Sequence, residues 1–202
     1  PRLLAVGAYC IGTDQVDLDA CSARGIAVFN SPYSNTRSVV ELAVGEMIML
    51  LRGVVDRSAL LHQGGWSKTA EGSHEIRGKK LGLIGYGSIG SQLSVLAEAL
   101  GMRVYYHDVA EKLSLGNAKK VPLEELLRIS DIISIHVDGR GSNRGFIGER
   151  EFDMMKDGVI FLNLSRGYVV DVESLAKRLK KGKIRGAAVD VFPDEPKSNK
   201  DR

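Results

Sequence analysis

The chain has little cysteine, a single tryptophan and no long apolar run. Its two cysteines, Cys10 and Cys21, form no CxxC pair and no metal-ligand spacing, so neither a disulfide framework nor a metal site is expected. We expect buried, reduced thiols in a cytoplasmic protein. The most apolar stretch, 39–51, is too short to span a bilayer and contains Glu41 and Glu46. The net charge of +3 is small and gives little support for nucleic acid as a partner.

What the chain does contain is a regular alternation of short apolar runs and amphipathic segments from residue 81 onward. Strands separated by helices at this spacing indicate βαβ units and a parallel sheet. Continuous apolar strands are typical of a sheet that is covered on both faces. The sequence therefore predicts an α/β fold with a doubly wound parallel sheet. A separate βαβ step is predicted in the first third, with strands at 3–10 and 26–30 around a helix at 16–25.

A single long helix is predicted at about 36–63, after the turn SPYSNT. Thr36 or Ser38 is expected to cap its start. Its apolar residues continue almost all the way round, whereas a helix with one covered face would leave half of these positions polar. We therefore expect this helix to be covered both by its own domain and by a second copy of the chain. The alternative is a central helix of one large domain.

The motif GYGSIG, which begins at Gly85, matches GxGxxG. It follows a predicted strand and opens a predicted helix inside one βαβ unit, which is the context that a dinucleotide-binding motif requires. Gly85 permits the tight turn, Gly87 lets the backbone approach a pyrophosphate, and Gly90 lets helix and strand pack closely. Ser88 and Ile89 lie at the amino end of the helix, where the N–H groups and the helix dipole favour phosphate.

Asp108 ends the next predicted strand. It lies about 20 residues beyond the glycine motif, the distance expected for an acid that accepts hydrogen bonds from the adenosine ribose hydroxyls. Its charge would repel a 2′-phosphate. The sequence therefore predicts NAD rather than NADP as the cofactor.

Several longer stretches are specific and occur in a fixed order: GAYCIGTDQVDLDAC, FNSPYSNTRSVVELAVGEM, GKKLGLIGYGSIGSQ, SDIISIHV, LNLSRGYVVD and AAVDVFPDEP. Over essentially its whole length the chain resembles the D-isomer-specific 2-hydroxyacid dehydrogenase family, and most closely the members that oxidise phosphoglycerate. The resemblance implies a Rossmann-type NAD-binding domain at 34–202, which includes the dimerisation helix and is truncated at its C-terminal end. It also implies that 1–33 is the remnant of a flavodoxin-like substrate-binding domain.

The resemblance assigns the catalytic roles. Arg166, in LNLSRG, matches the arginine that binds the substrate carboxylate and carbonyl, and a planar guanidinium suits a bidentate carboxylate. Glu195, in DVFPDEP, matches the acid that orients and charges a catalytic histidine. None of the four histidines of the chain fits as its partner. The resemblance places that histidine beyond Arg202, so the chain alone is expected to bind NAD with little or no turnover.

Other matched positions surround the cofactor. Asp190 matches an aspartate near the nicotinamide carboxamide. Leu164 and Ser165 match residues that line the same side of the cofactor, together with Arg166. His136, in SIHV, matches a position in the cofactor pocket rather than the catalytic position.

Two positions resemble the substrate pocket of the phosphoglycerate-oxidising members. These are Asn35 and Lys68, of which the lysine would meet the substrate phosphate. The alternative for Lys68 is a solvated lysine in a linker. The segment after SIHV departs from the family pattern, because Asp138 and Asn143 stand where a proline and a threonine are usual, so its conformation is expected to differ.

The implied reaction is the NAD-dependent oxidation of 3-phospho-D-glycerate to 3-phosphohydroxypyruvate, the first step of serine biosynthesis. The expected assembly is a homodimer or a dimer of dimers, with a small-molecule substrate and no membrane or nucleic-acid partner. One alternative keeps the chemistry and changes the substrate to glycerate, lactate or another D-2-hydroxy acid. The other is a non-catalytic, NAD-responsive binding protein that resembles the corepressors related to this family.

Overall fold

The computed structural model describes residues 2–13 and 15–196, so the last part of the predicted NAD-binding domain, 197–202, lies outside the described residues. Within the described ranges, no helix is long and apolar enough to cross a membrane. Cys10 is exposed and Cys21 is partly exposed, so the expectation of buried thiols was wrong. Both belong to the small N-terminal unit, in which the first helix has no buried residue.

The N-terminal unit is a parallel two-stranded sheet. Strands β1 (Ala5–Ala8) and β2 (Ala27–Asn30) are joined by helix α1 (Leu18–Ala23). Asp17 caps this helix by accepting a hydrogen bond from the Ala20 N–H at 2.8 Å. The predicted βαβ step is confirmed.

The single helix predicted at 36–63 is in fact two helices. Helix α2 covers Thr36–Arg52 and α3 covers Val54–His62, with Gly53 between them at φ 62° and ψ 36°. Glycine adopts this left-handed conformation without the steric cost that a side chain would add. The prediction of one helix was wrong because the apolar pattern continues across the break.

The start of α2 also differs from expectation. Asn35 is the N-cap residue and makes no side-chain capping bond, while Thr36 is already helical. The Thr36 hydroxyl is buried and has no hydrogen-bond partner among the described residues. One face of α2 is fully buried in the core, whereas other apolar side chains of the helix are exposed. The buried apolar residues are Val40, Ala43, Met47 and Leu51, and the exposed apolar ones are Leu42, Ile48 and Met49.

The main sheet has six parallel strands in the order β5-β4-β3-β6-β7-β8. The chain enters it at β3, moves outward through β4 to β5, and returns to the other side of β3 with β6. The boundary between β3 and β6 is therefore the point where the strand order reverses, and ligands of such sheets bind at the carboxyl ends of the strands there. The strands are β3 (Lys80–Ile84), β4 (Arg103–His107), β5 (Lys119–Lys120), β6 (Ile132–Ile135), β7 (Val159–Asn163) and β8 (Ile184–Val189).

Helices cover both faces of this sheet, as the continuous apolar strands predict. One core joins α2 and α4 to one face, and a second core joins α5, α6 and α7 to the other. The doubly wound Rossmann-type fold is confirmed. Among the strands of this sheet, sequence patterning missed the short edge strand β5, because two exposed lysines give no apolar signal. The remaining α-helices of the described residues are α4 (Ser88–Ala99), α5 (Leu123–Ile129), α6 (Glu149–Met154) and α7 (Val172–Lys180), and two short 3₁₀ helices cover Gly141–Asn143 and Gly167–Val169.

Candidate cofactor and substrate site

Two adjoining cavities lie at the carboxyl ends of β3, β4, β6 and β7. The larger cavity has a volume of about 420 Å³ and the smaller one about 330 Å³. Both are lined by Gly87 and by His136–Asp138, so they meet where the strand order reverses. Together they form one continuous crevice at the position where an open parallel sheet binds its ligand.

The glycine motif lies where the two cavities meet, and its Gly87 lines both of them. Gly85 has φ +95°, and a Cβ there would lie 2.6 Å from the His136 carbonyl oxygen. A Cβ at Gly90 would collide with the Gly85 carbonyl oxygen, so this glycine lets α4 approach β3. By contrast, a Cβ at Gly87 would meet no protein atom within 4 Å. The free space beside Gly87, at the amino end of α4, fits a pyrophosphate group.

Asp108 follows β4 and lines the smaller cavity. Its two oxygens accept backbone hydrogen bonds, Oδ2 from the Tyr86 N–H at 2.8 Å and Oδ1 from the Ala110 N–H at 2.9 Å. Partial burial acts to raise its pKa, but these two donors, with Lys112 and His107 nearby, outweigh burial and hold the pKa below the ordinary value. Asp108 is therefore an ionised acceptor at the place where ribose hydroxyls are expected.

His136 lies between the two cavities and lines both. Its Nε2 is 2.8 Å from the Ser134 hydroxyl, and its Nδ1 has no partner among the described residues. Burial lowers the pKa of His136 to about 4, so the ring is neutral at physiological pH. Its place between the cavities is compatible with the predicted cofactor-pocket role.

Arg166 lies in the turn after β7 and lines the larger cavity. The buried Asn163 side chain shapes this turn: its Nδ2 donates to the Arg166 carbonyl at 3.1 Å, and its Oδ1 accepts from the N–H and the hydroxyl of Ser165 at 3.1 and 2.8 Å. The guanidinium donates to the Ser165 carbonyl at 2.9 Å. Sequence reasoning missed Asn163, whose signal was an amide at the end of a fully apolar strand.

Gly167 is a second residue that sequence reasoning missed. A Cβ at this position would collide with the Phe192 carbonyl group, so the glycine lets the segment that contains Glu195 pass directly beside Arg166. Glu195 is exposed, and its Oε1 accepts from the Phe192 N–H at 3.2 Å. The signal was the glycine directly after the predicted catalytic arginine.

The loop after His136, in which Asp138 and Asn143 depart from the expected family pattern, has its own hydrogen-bond network. The Arg140 guanidinium donates twice to Asp138 Oδ2, at 2.9 and 2.6 Å. The Asn143 amide donates to the Asp138 carbonyl and carboxylate at 2.9 and 3.1 Å. All three side chains belong to residues that line the smaller cavity, and sequence reasoning had not included Arg140.

The predicted site residues thus fall into three sets. Gly90 lies behind the glycine turn, whereas Lys68, Asp190 and Glu195 are exposed and line neither cavity. The Asp190 N–H donates to the Asn163 carbonyl at 3.1 Å, which ties it to the end of β7. The structure brings the others together: Asn35, Gly87, Ser88, Ile89, His136, Leu164, Ser165 and Arg166 line the larger cavity, and Gly85, Gly87, Asp108 and His136 line the smaller one.

Comparisons with known proteins agree with this geometry. The sequence profile described as "D-isomer specific 2-hydroxyacid dehydrogenase, NAD binding domain" matches residues 44–202. The D-3-phosphoglycerate dehydrogenase of Haemophilus influenzae is 56% identical over 199 residues, which are 98% of this chain and 48% of that protein. That of Escherichia coli K12 is 54% identical over 201 residues, 99% of this chain and 49% of that protein. The chain therefore spans about half the length of these curated relatives.

Solved structures of dehydrogenases and reductases superpose on this chain. D-lactate dehydrogenase from Aquifex aeolicus, complexed with NAD and lactic acid, superposes with a TM-score of 0.88 at 32% identity, covering 96% of this chain and 59% of that one. A glyoxylate reductase from Paecilomyes thermophila superposes with a TM-score of 0.87 at 32% identity, covering 98% of this chain and 61% of that one.

Proposed function

The chain belongs to the D-isomer-specific 2-hydroxyacid dehydrogenase family and contains its NAD-binding domain, and on this premise we propose that the complete protein oxidises 3-phospho-D-glycerate to 3-phosphohydroxypyruvate with NAD. This reaction is the first step of serine biosynthesis. The substrate assignment is supported by relatives named D-3-phosphoglycerate dehydrogenase, which are 52–56% identical over nearly the whole chain.

One observation carries the proposal: the glycine motif, Asp108 and Arg166 converge on one crevice at the carboxyl edge of the sheet. They come from the ends of three different strands, so no local feature of the chain explains their meeting. Asp108 lines the smaller cavity and Arg166 lines the larger one, while Gly87, which has open space beside it, lines both. This is the order in which an NAD molecule and a carboxylate substrate would need them.

When bound, NAD supplies the acceptor for the hydride that leaves C2 of the substrate. We assign Arg166 to the substrate carboxylate and to the oxygen of the forming ketone, since its fixed charge favours both. Asn35, across the same cavity, is assigned to substrate binding. Glu195 is assigned to orient and charge the histidine that takes up the hydroxyl proton. His136 is not a good base for this step, because its pKa is about 4.

Domain organisation and assembly belong to the same proposal. We assign 1–33 to a substrate-binding domain and 34–202 to the NAD-binding domain, and we propose a cytoplasmic homodimer or dimer of dimers. The assembly is supported by a run of apolar side chains that α2, α3 and the connector after them leave exposed. These include Leu42, Ile48, Met49, Val55, Leu61 and Trp66.

The substrate assignment is tested by measuring NADH formation by the complete protein with 3-phosphoglycerate, D-glycerate and D-lactate. Phosphoglycerate is expected to be the preferred substrate. Arg166→Gln is expected to lower kcat/KM by about 100-fold or more, because a charge is lost where the ketone oxygen forms. Arg128→Gln, on the exposed surface of α5, is the matched control. Unchanged turnover in Arg166→Gln would overturn the role of this arginine.

A second candidate keeps the chemistry and changes the substrate to another D-2-hydroxy acid. It is favoured by the superposition on D-lactate dehydrogenase, but the higher identity to the phosphoglycerate enzymes outweighs it. Lys68 discriminates between the two. If Lys68 meets the substrate phosphate, Lys68→Ala raises the KM for phosphoglycerate and leaves that for D-lactate unaltered. Equal KM values for phosphoglycerate in the variant and the parent would contradict the phosphate role.

A further inference from the structure

The loop between β4 and β5, residues 109–118, forms one wall of the smaller cavity through Val109, Ala110 and Lys112. The loop has no helix or strand. Val109 and Leu113 are 86% and 88% exposed, whereas Ala118 at the end of the loop is buried in the core, so burial of apolar surface contributes little to the position of the part that lines the cavity. Its conformation must therefore depend on specific hydrogen bonds.

Two buried tyrosines provide the hydrogen bonds to the middle of the loop. Near its two ends, the Lys120 ammonium donates to the Ala110 carbonyl at 3.2 Å and the Asn117 N–H donates to Glu98 at 2.8 Å. Tyr86 lies inside the glycine motif and stacks on Tyr106 of β4, with ring centroids 3.8 Å apart and an angle of 20° between the rings. The Tyr86 hydroxyl accepts from the Leu115 N–H at 3.1 Å. The Tyr106 hydroxyl donates to the Lys112 carbonyl at 3.0 Å and lies 2.9 Å from the Ser114 hydroxyl. Both rings thus present their polar ends to the loop.

The direction of the hydrogen bonds at Tyr86 follows from donor counting. The Ser94 hydroxyl donates its only hydrogen to the Ser91 carbonyl at 2.7 Å, so at its 2.8 Å contact with Tyr86 it accepts. The chain of donors therefore runs from the Leu115 N–H to the Tyr86 hydroxyl, then to the Ser94 hydroxyl, and ends at the Ser91 carbonyl. Ser91 and Ser94 belong to α4, whose amino end borders the crevice.

The backbone of Tyr86 makes a second link, because its N–H donates to Asp108. Tyr86 therefore binds Asp108 through its backbone N–H and binds the loop after Asp108 through its hydroxyl. Tyr86 itself does not line either cavity, so any effect on a ligand must pass through these partners.

We propose that Tyr86 is a positioning residue for the adenosine half of the cofactor, acting through its hydroxyl on the wall formed by 109–118. The proposal deepens the proposed function and rests on the cofactor role of this crevice. Replacing Tyr86 by phenylalanine keeps the stacked ring, but it leaves the Leu115 N–H and the Ser94 oxygen without this partner. The wall then loses the link to α4 that runs through Ser94, although the bond from the Asn117 N–H to Glu98 of α4 remains, and the adenosine half binds to a less ordered surface.

The test compares the affinities of two cofactor fragments for the complete protein, by calorimetry. Tyr86→Phe is expected to raise the Kd of ADP-ribose about tenfold, the usual scale for losing one buried hydrogen bond. The Kd of reduced nicotinamide mononucleotide, which lacks the adenosine half, is expected to stay unchanged. Hydrogen exchange of the amides of 109–118 is expected to become faster in the variant.

Tyr105→Phe is the matched control. Tyr105 lies next to Tyr106 on β4, and its hydroxyl has no hydrogen bond within the part of the chain that the structure describes; its removal is expected to change neither affinity. Ser94→Ala removes the acceptor of the Tyr86 hydroxyl and the bond to the Ser91 carbonyl, but it leaves the bond from the Leu115 N–H to Tyr86 in place. This second variant is expected to show a smaller rise in the Kd of ADP-ribose.

An ADP-ribose Kd in Tyr86→Phe equal to that of the parent would overturn the proposal. An equal loss of affinity for both fragments would also overturn it, because that result indicates general destabilisation. Failure of the parent protein to oxidise phosphoglycerate would remove the proposed function, while the split between the two fragments in Tyr86→Phe would still support the role of this tyrosine.

Discussion

The two cavities of the crevice are built in different ways. The smaller cavity is lined entirely by residues of one continuous stretch, 84–146. The Asp108 carboxylate in it accepts hydrogen bonds from two backbone N–H groups, and the Asp138 carboxylate accepts from Arg140. The larger cavity draws on segments spread from Ile11 to Arg166. Lys68 and Glu195, which sequence reasoning placed in the catalytic half, are exposed and line neither cavity. The difference indicates that the smaller cavity, where the adenosine ribose is expected, is formed by one local stretch of the chain. The larger cavity, where Arg166 lies, depends on how distant segments come together.

A substitution at Gly87 is expected to weaken cofactor binding more than any other change described below. Because a Cβ there meets no protein atom within 4 Å, Gly87→Ala is expected to fold with an unchanged Tm. The added methyl group occupies the space for the pyrophosphate, so the Kd for NADH is expected to rise by about 100-fold or more. Fluorescence titration with NADH and thermal unfolding together check both halves of this prediction.

Gly90→Ala is the control for Gly87→Ala, since its methyl group collides with the Gly85 carbonyl oxygen. This variant is expected to lower the Tm, because the helix can no longer approach the strand. If Gly87→Ala binds NADH as tightly as the parent chain, the free space beside Gly87 is not where the phosphates bind.

A substitution at Gly167 is expected to affect turnover without affecting the smaller cavity. In Gly167→Ala the methyl group displaces the Phe192–Pro193 segment, and with it Glu195. Since small displacements of catalytic groups are costly, turnover of the complete protein is expected to fall about tenfold or more. NADH affinity is expected to remain, because the smaller cavity does not involve this segment. A parallel loss of NADH affinity would show that the two halves are not built independently.

His136, which lies between the two cavities, is expected to make the free energy of unfolding depend on pH, and this is the smallest of the expected effects. Burial places its folded pKa at about 4, below the unfolded value of about 6.5. As the pH falls, the unfolded chain therefore binds the proton first, so the stabilisation is complete above pH 6.5 and is lost as the pH falls towards 4. This lowers the free energy of unfolding by about 1 kcal/mol at pH 6.

Urea unfolding at pH 7 and pH 6 checks this by comparing the parent chain with His136→Gln. The parent is expected to lose more stability between the two pH values than the variant. His62→Gln, an exposed histidine, is expected to behave like the parent. Equal losses in the parent and in His136→Gln would contradict a neutral His136 ring in the folded chain.

The difference between local and distant contacts also explains which features the sequence predicted. The glycine motif, Asp108 and the doubly wound sheet were predicted because each depends on residues close together in the chain. The break at Gly53 was missed because apolar periodicity does not register a single left-handed residue. Asn163 was missed because its hydrogen bonds are formed only once the turn around Arg166 exists. The contact between Gly167 and Phe192 joins two segments whose proximity is set by the packing of β7 against β8.

We expect the glycine motif and the smaller cavity of this chain to be sufficient for binding the dinucleotide. The experiment is a titration of the folded chain with NADH, with folding verified by circular dichroism, followed by displacement of the NADH with ADP-ribose. We predict saturable binding of one NADH per chain and full displacement by ADP-ribose. If the folded chain binds neither molecule, the crevice is not a dinucleotide site.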